Sequence, residues 1–166
     1  MVEKDVVSKE EVEHEGIFSF KGFYSYAYEW LKNEEYGVDE EKYTEKISGN
    51  KRDIFIQWKV TKRLSDYFKI EHRVRIIVSG LTDVEVEIDG VKKQMNKGKV
   101  KVELKSNLVS DSESKWDKSP THRFFRDIYN KYIIPSRVDY LKGQVIEDIQ
   151  TFKDDLKSFL ELSARR

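Results

Sequence analysis

The fold is decided by residues 120–162, which read PTHRFFRDIYNKYIIPSRVDYLKGQVIEDIQTFKDDLKSFLEL. Ser119 followed by Pro120 is typical of a helix start, because a serine side chain caps free N–H groups and the fixed φ of proline suits the first turn. Apolar side chains then recur every three or four residues, which favours one long amphipathic helix. We expect this helix to bend at Pro135, where a backbone donor is lost. The apolar positions are Phe124, Phe125, Ile128, Tyr129, Tyr132, Ile133, Val138, Leu141, Val145, Ile149, Phe152, Leu156, Phe159 and Leu160.

The middle of the chain shows the alternation of an antiparallel sheet. Ile17–Phe23 predicts a short first strand, and Tyr24–Tyr36 predicts a helix that ends at Gly37. The later strands alternate apolar and charged residues and are separated by turns that contain glycine. Their inward rows are predicted to be Ile54, Ile56, Trp58 and Val60; Phe68, Ile70, His72, Val74, Ile76 and Val78; and Val100, Val102, Leu104 and Leu108. One face of the sheet is therefore apolar and needs a cover, which the terminal helix can supply.

These patterns together predict an α+β protein. We expect a curved antiparallel sheet of about six to seven strands that grips the long C-terminal helix, with one short helix after the first strand. Residues 1–14 are polar and acidic, so we expect them to form a flexible tail. A chain of 166 residues has the size of one domain, which we place at residues 15–163.

Composition limits the classes of function. Lys and Arg number 31 and balance 31 Asp and Glu, so overall charge gives no reason to expect a DNA partner. The chain has no cysteine, which excludes disulfides, thiolate metal sites and a cysteine nucleophile. The first 15 residues lack the apolar segment of a signal peptide, and no apolar run approaches the ~20 residues that span a bilayer. We expect a cytoplasmic protein without stable membrane insertion.

The predicted order of elements resembles the START-like helix-grip superfamily, which includes lipid-transfer domains and polyketide cyclases. The resemblance rests on the Ile17–Phe23 strand, the Tyr24–Tyr36 helix, the strands between Ile54 and Leu108, and the helix after Pro120. It implies a sheet curved around the terminal helix with an apolar cavity between them. Members bind lipids, sterols or polyketides, and some assist other proteins. The sequence also resembles small archaeal proteins.

His72 is the first candidate for a functional side chain, because it interrupts an apolar row that faces the predicted cavity. A buried imidazole can orient a ligand or act as an acid or base, but a lone histidine also fits an ordinary core. Aromatic and aliphatic neighbours would complete a pocket of the usual composition. The predicted ligand-binding residues are Tyr26, Trp58, Phe68, Ile70, His72, Val74, Leu141 and Val145. The sequence predicts no catalytic residue, no metal site and no cofactor.

Three functions follow from this reading. The first is a non-enzymatic binding protein that holds a lipid-like or other apolar small molecule between the sheet and the C-terminal helix. The second is a protein-interaction or assembly module, or a homodimer, that uses the long helix. The third is a cyclase or hydrolase that uses His72. Outward basic residues such as Lys69, Arg73 and Arg75 could contact RNA phosphates, although interspersed acidic residues favour a solvated face.

Overall fold

The computed structural model describes residues 3–110, 120–121, 124 and 134–164. Within this part of the chain the strands and helices are numbered in chain order. They are β1 (Glu3–Phe18), α1 (Phe20–Asn33), β2 (Gly37–Ser48), β3 (Lys51–Arg63), β4 (Phe68–Ile88), β5 (Val91–Ser110) and α2 (Ile134–Ala164). The described residues form no helix that combines the length and the apolar character needed to cross a membrane.

All five described strands belong to one antiparallel sheet in the order β1-β5-β4-β3-β2. The α+β class, the curved open sheet, the short helix after the first strand and the C-terminal helix are confirmed. The expected count of six to seven strands is wrong for this part of the chain. The reason is that β4 and β5 continue through positions 79–80 and 96–98, where the glycines indicated turns.

The N-terminal prediction is also wrong, because residues 3–14 form most of β1 and are not a flexible tail. This strand pairs with β5, with Val12 opposite Val102. The strand expected at Ile17–Phe23 ends at Phe18. Ser19 then caps α1, since its Oγ accepts a hydrogen bond of 3.1 Å from the N–H of Gly22. The helix consequently begins four residues before the predicted Tyr24.

The core lies between one face of the sheet, here called the inner face, and the two helices. Every side chain of the three predicted inward rows is buried, as predicted. The apolar stripe of α2 closes the same core with Val145, Ile149, Phe152, Leu156 and Leu160. From α1 the core receives Phe23, Ala27 and Leu31. Ser119, where the helix was expected to start, lies outside the described residues, as does the aromatic stripe at 125–133. The segment that precedes the expected kink at Pro135 belongs to the same undescribed part of the chain.

Three glycines lie close together on neighbouring strands of the sheet. Gly16 of β1 lies opposite Gly98 of β5. On the other side of Gly98, β4 carries a bulge in which Gly80 has a φ of +61°. A Cβ atom at Gly98 would lie 3.0 Å from the Cα of Leu81 and 3.1 Å from the carbonyl oxygen of Ser79. A side chain at position 98 would therefore make closer contacts than most Cβ atoms do, and the neighbouring backbone would have to move by a few tenths of an ångström.

We predict that Gly98→Ala lowers the free energy of unfolding by about 1–3 kcal/mol, because the added methyl group must push the β4 bulge away. Gly143→Ala is the matched control, since nothing lies within 4 Å of its Cβ position in α2. That change should stabilise the protein by about 0.5–1 kcal/mol through helix propensity. Urea denaturation of both variants measures the difference. Equal effects of the same sign would contradict the close approach at Gly98.

Candidate functional site

His72 lies at the centre of a buried chain of hydrogen bonds. Its Nδ1 is 2.8 Å from the Oγ of Ser106 on β5, and its Nε2 is 3.1 Å from the hydroxyl of Tyr36, which immediately precedes β2. The Tyr36 hydroxyl donates to the Oδ2 of Asp148 on α2 at 3.0 Å. Because tyrosine has a single hydroxyl proton, Nε2 of His72 must donate to Tyr36 while Nδ1 accepts from Ser106. The chain thus connects two central strands, the start of the edge strand β2 and the terminal helix.

The environment keeps the imidazole of His72 and the phenol of Tyr36 uncharged. Burial lowers the pKa of His72 to about 4. Burial raises the pKa of Tyr36, and the charge and hydrogen bond of Asp148 raise it further. At neutral pH the imidazole and the phenol are therefore uncharged, in agreement with the hydrogen-bond directions above.

A serine that is hydrogen-bonded to a histidine, as Ser106 is to His72, can act as a nucleophile with the histidine as its base. However, Ser106 has no exposed surface and His72 is only 1% exposed, so a substrate has no access to either. A nucleophile must reach the reacting atom of its substrate. The chain consequently acts as a structural connection. Sequence reasoning found His72 but missed its partners, because they are 34 and 36 residues away from it.

The other predicted pocket residues do not line one cavity. Trp58 is fully buried, and its Nε1 donates to Glu40 at 3.1 Å. Phe68 and Leu141 belong to a separate small cluster. Tyr26 stacks on Phe159 with ring centroids 4.9 Å apart. The remaining members Ile70, Val74 and Val145 are buried in the main core beside Trp58. These side chains form packed interior, and the cavities described below lie elsewhere.

An open apolar groove lies between the β4–β5 hairpin and the end of α2. Its volume is about 280 Å³. Leu162 is 61% exposed and forms part of one wall. The hydroxyl of Ser163 donates to the carbonyl of Phe159 at 3.0 Å. The lining residues are Ile88, Lys93, Met95, Phe159, Leu162 and Ser163. Among them only Lys93 carries a charge.

Two further depressions are lined mainly by charged and polar residues. The larger has a volume of about 550 Å³ and lies mainly on the face of the sheet opposite the helices, here called the outer face. It is lined by Lys9, Glu10, Glu11, Gln57, Arg73, Arg75, Glu103, Leu104 and Lys105. The smaller has a volume of about 360 Å³ and is lined by Glu15, Gly16, Lys51, Ser79, Gly80, Thr82, Lys97, Gly98 and Lys99. The described side chains contain no group of three histidines or carboxylates arranged to hold a metal ion.

In comparisons with known proteins, the chain matches no family model, no curated protein and no solved structure. The resemblance to the helix-grip superfamily therefore stays a prediction.

We predict that stability falls as the pH drops from about 6.5 towards 4, and that His72 causes part of this loss. The pKa of His72 is about 4 in the folded protein and about 6.5 in an unfolded chain. Below pH 6.5 the unfolded chain gains a proton that the folded protein does not, so up to about 3 kcal/mol is lost on acidification.

The variant His72→Gln should lack this component, so its free energy of unfolding should fall less between pH 7 and pH 4.5 than that of the wild type. Denaturant melts at each pH measure the two curves. His14→Gln serves as the control, since it leaves the His72 imidazole in place and its curve should still contain the His72 component. Parallel curves for the wild type and His72→Gln would contradict the prediction.

Proposed function

We propose that the protein is a non-enzymatic binding protein for a small amphiphile. The apolar part of the ligand would occupy the groove between the β4–β5 hairpin and α2. The observation that carries this proposal is the groove itself, an open and almost wholly apolar recess at one end of the interface between the sheet and the terminal helix. Apolar recesses with few polar groups are the usual form of a small-molecule site.

The size of the groove favours a short ligand. Its volume of about 280 Å³ is near the lower end of small-molecule sites, which start at about 300 Å³. A cavity of about 150 Å³ holds one benzene ring, so this groove suits a ring system or a medium-length alkyl chain. It is too small for a whole phospholipid.

The charge at the groove favours an anionic end group. Among the described residues, Lys93 is the one charged side chain that lines the groove. Its neighbour Lys92 has a carboxylate 3.7 Å away, on Glu85, whereas the described residues offer Lys93 no ion-pair partner. A carboxylate or sulfonate on the ligand would pair with this ammonium group while the apolar part packs against Met95 and Leu162.

The described contacts give less support to the two other functions. A protein-interaction module was suggested by a helix end that projects from the domain, but the stripe from Val145 to Leu160 is buried against the protein's own sheet. A cyclase or hydrolase would need His72 to reach a substrate, and this side chain is 1% exposed.

We predict that Leu162→Glu weakens binding of 8-anilinonaphthalene-1-sulfonate by about tenfold, because a carboxylate in the apolar wall would have to be desolvated. Fluorescence enhancement of the probe measures binding, and decanoate should displace it from the wild type. The side chain is 61% exposed, so the variant should retain its fold.

The control is Ile47→Glu, which places the same charge at a 68% exposed apolar residue on the edge strand β2. It should bind the probe as the wild type does. The proposal fails if Leu162→Glu binds normally, or if neither the probe nor decanoate binds the wild type. An apolar peptide that binds in the groove and excludes decanoate would point instead to a protein partner.

We predict that Lys93→Gln weakens the binding of anionic ligands more than the binding of uncharged ones. Loss of the ammonium group should weaken decanoate binding by about three- to tenfold and decanol binding by less than about twofold. Displacement of the fluorescent probe by each compound gives the two affinities. An equal loss for both compounds would show that Lys93 does not recognise the anionic end.

A further inference from the structure

Four cationic side chains form a row across the outer face of the sheet. In the register of the strands, Lys9 of β1 lies opposite Lys105 of β5. Lys105 in turn lies opposite Arg73 of β4, and Arg73 lies opposite Lys59 of β3. All four point away from the helices, because their neighbours in sequence fill the inner rows. We call Lys9, Lys105, Arg73 and Lys59 the cation row.

Such a row is unfavourable for folding alone. Neighbouring strands are about 4.8 Å apart, and like charges directly opposite each other destabilise a sheet. In the next row of the outer face, like charges are neutralised by a side chain of opposite charge. There Glu11 lies opposite Glu103, and the Nζ of Lys101 lies 3.6 Å from a carboxylate oxygen of each. The acidic pair is therefore bridged by a side chain of the protein itself.

The cation row is bridged at only one of its ends. Arg73 pairs with Glu41, and the buried carboxylate of Glu71 lies 3.8 Å from Arg73 and 3.6 Å from Lys59. Burial acts to raise the pKa of Glu71, but Lys4, Arg73 and Lys59 outweigh it and the pKa is lowered.

At the other end the situation differs. Lys9 and Lys105 are both exposed. Neither has an ion-pair partner among the described residues. Among the described residues, no carboxylate bridges these two opposed ammonium groups.

We propose that the Lys9–Lys105 end of the cation row is a binding site for a phosphate group, with Arg73 as a third donor. An oxyanion between the two ammonium groups would take the place that Lys101 has in the acidic row, with the charges reversed. Phosphate offers several acceptor oxygens, and lysine and arginine are its usual partners. Both lysines and Arg73 line the depression of about 550 Å³, a volume within the range of small-molecule sites.

The carboxylates of this depression do not occupy the proposed site. Glu10 binds Lys153 of α2 at 2.9 Å, on the inner face. Glu11 and Glu103 are held by Lys101. Gln57 lines the same depression and adds an uncharged donor and acceptor for the rest of the ligand. The site is separate from the apolar groove, which lies on the opposite side of the sheet.

Binding of pyrophosphate to the full chain tests the proposal. Isothermal titration calorimetry should detect binding to the wild type at low salt, and pyrophosphate should raise its melting temperature. Lys105→Glu and Lys9→Glu should each weaken binding by about tenfold or more, because a charge-assisted contact is replaced by repulsion. Lys21→Glu is the control: it makes the same change in net charge on α1, on the other face, and should bind as the wild type does.

A second measurement tests whether the opposed lysines destabilise the protein when no ligand is bound. Without ligand, Lys105→Glu should raise the melting temperature by about 1–3 °C at low salt, because glutamate would bridge Lys9 and Arg73. This gain should shrink at about 1 M salt, where the Debye length is about 3 Å. Loss of binding together with higher stability is the expected result.

A single-stranded oligonucleotide distinguishes the source of the phosphate. If it binds at least about a hundredfold more tightly than pyrophosphate, and loses this affinity in Lys105→Glu, the phosphate belongs to a nucleic acid backbone. Comparable affinities assign the site to a small phosphorylated molecule. The proposal is overturned if no phosphate compound binds the wild type, if Lys105→Glu binds as the wild type does, or if Lys105→Glu lowers the melting temperature at low salt.

Discussion

The structure depends on covering the apolar inner face of the sheet. Three strands present continuous rows of buried side chains there, and α2 lays Ile149, Phe152 and Leu156 across them. Each large apolar side chain that is fully buried contributes about 1.5–3 kcal/mol before ordering costs. Trp58 and His72, beside which a cavity was expected, are buried in the same packing. The proposed ligand would instead bind at the end of the interface, where α2 runs past the β4–β5 hairpin.

Apolar burial turns the stripe of α2 towards the sheet, but it fixes the angle and the position of the helix less tightly, because the hydrophobic effect is not directional. Polar contacts at several points of α2 supply that direction. Asp148 accepts from Tyr36, Asp155 accepts from the Nε1 of Trp30 at 2.8 Å, and Lys153 donates to Glu10 at 2.9 Å. These contacts reach the segment before β2, α1 and β1. His72 belongs to this system, since it fixes the hydroxyl that holds Asp148.

The inner rows and the stripe of α2 could be predicted because each is a local pattern, with a period of two or of about 3.6 residues. The strand β1 could not, because its inward side chains include Ser8, Glu10 and His14. Glu10 faces Gln150 and Lys153 on the polar flank of α2, so an apolar residue is not needed there. The continuity of β4 could not be predicted, because Gly80 resembles a turn residue in the sequence. In the structure it belongs to a β-bulge within the strand.

The candidate sites were harder to predict than the fold, because they depend on register. His72 stood out as a polar residue in an apolar row, but whether such a residue faces a cavity or a partner depends on side chains far away in sequence. The outer face shows the same limit more clearly. In the sequence, Lys9 lies in an acidic segment and Lys105 in a strand of alternating charge, so neither indicates a cluster. Only the pairing of β1 with β5 places them opposite each other. Both described helices pack on the inner face, so the stability that they confer can offset an unfavourable charge pair on the outer one. A local arrangement that opposes folding, in a fold that is stabilised elsewhere, is typical of a functional site.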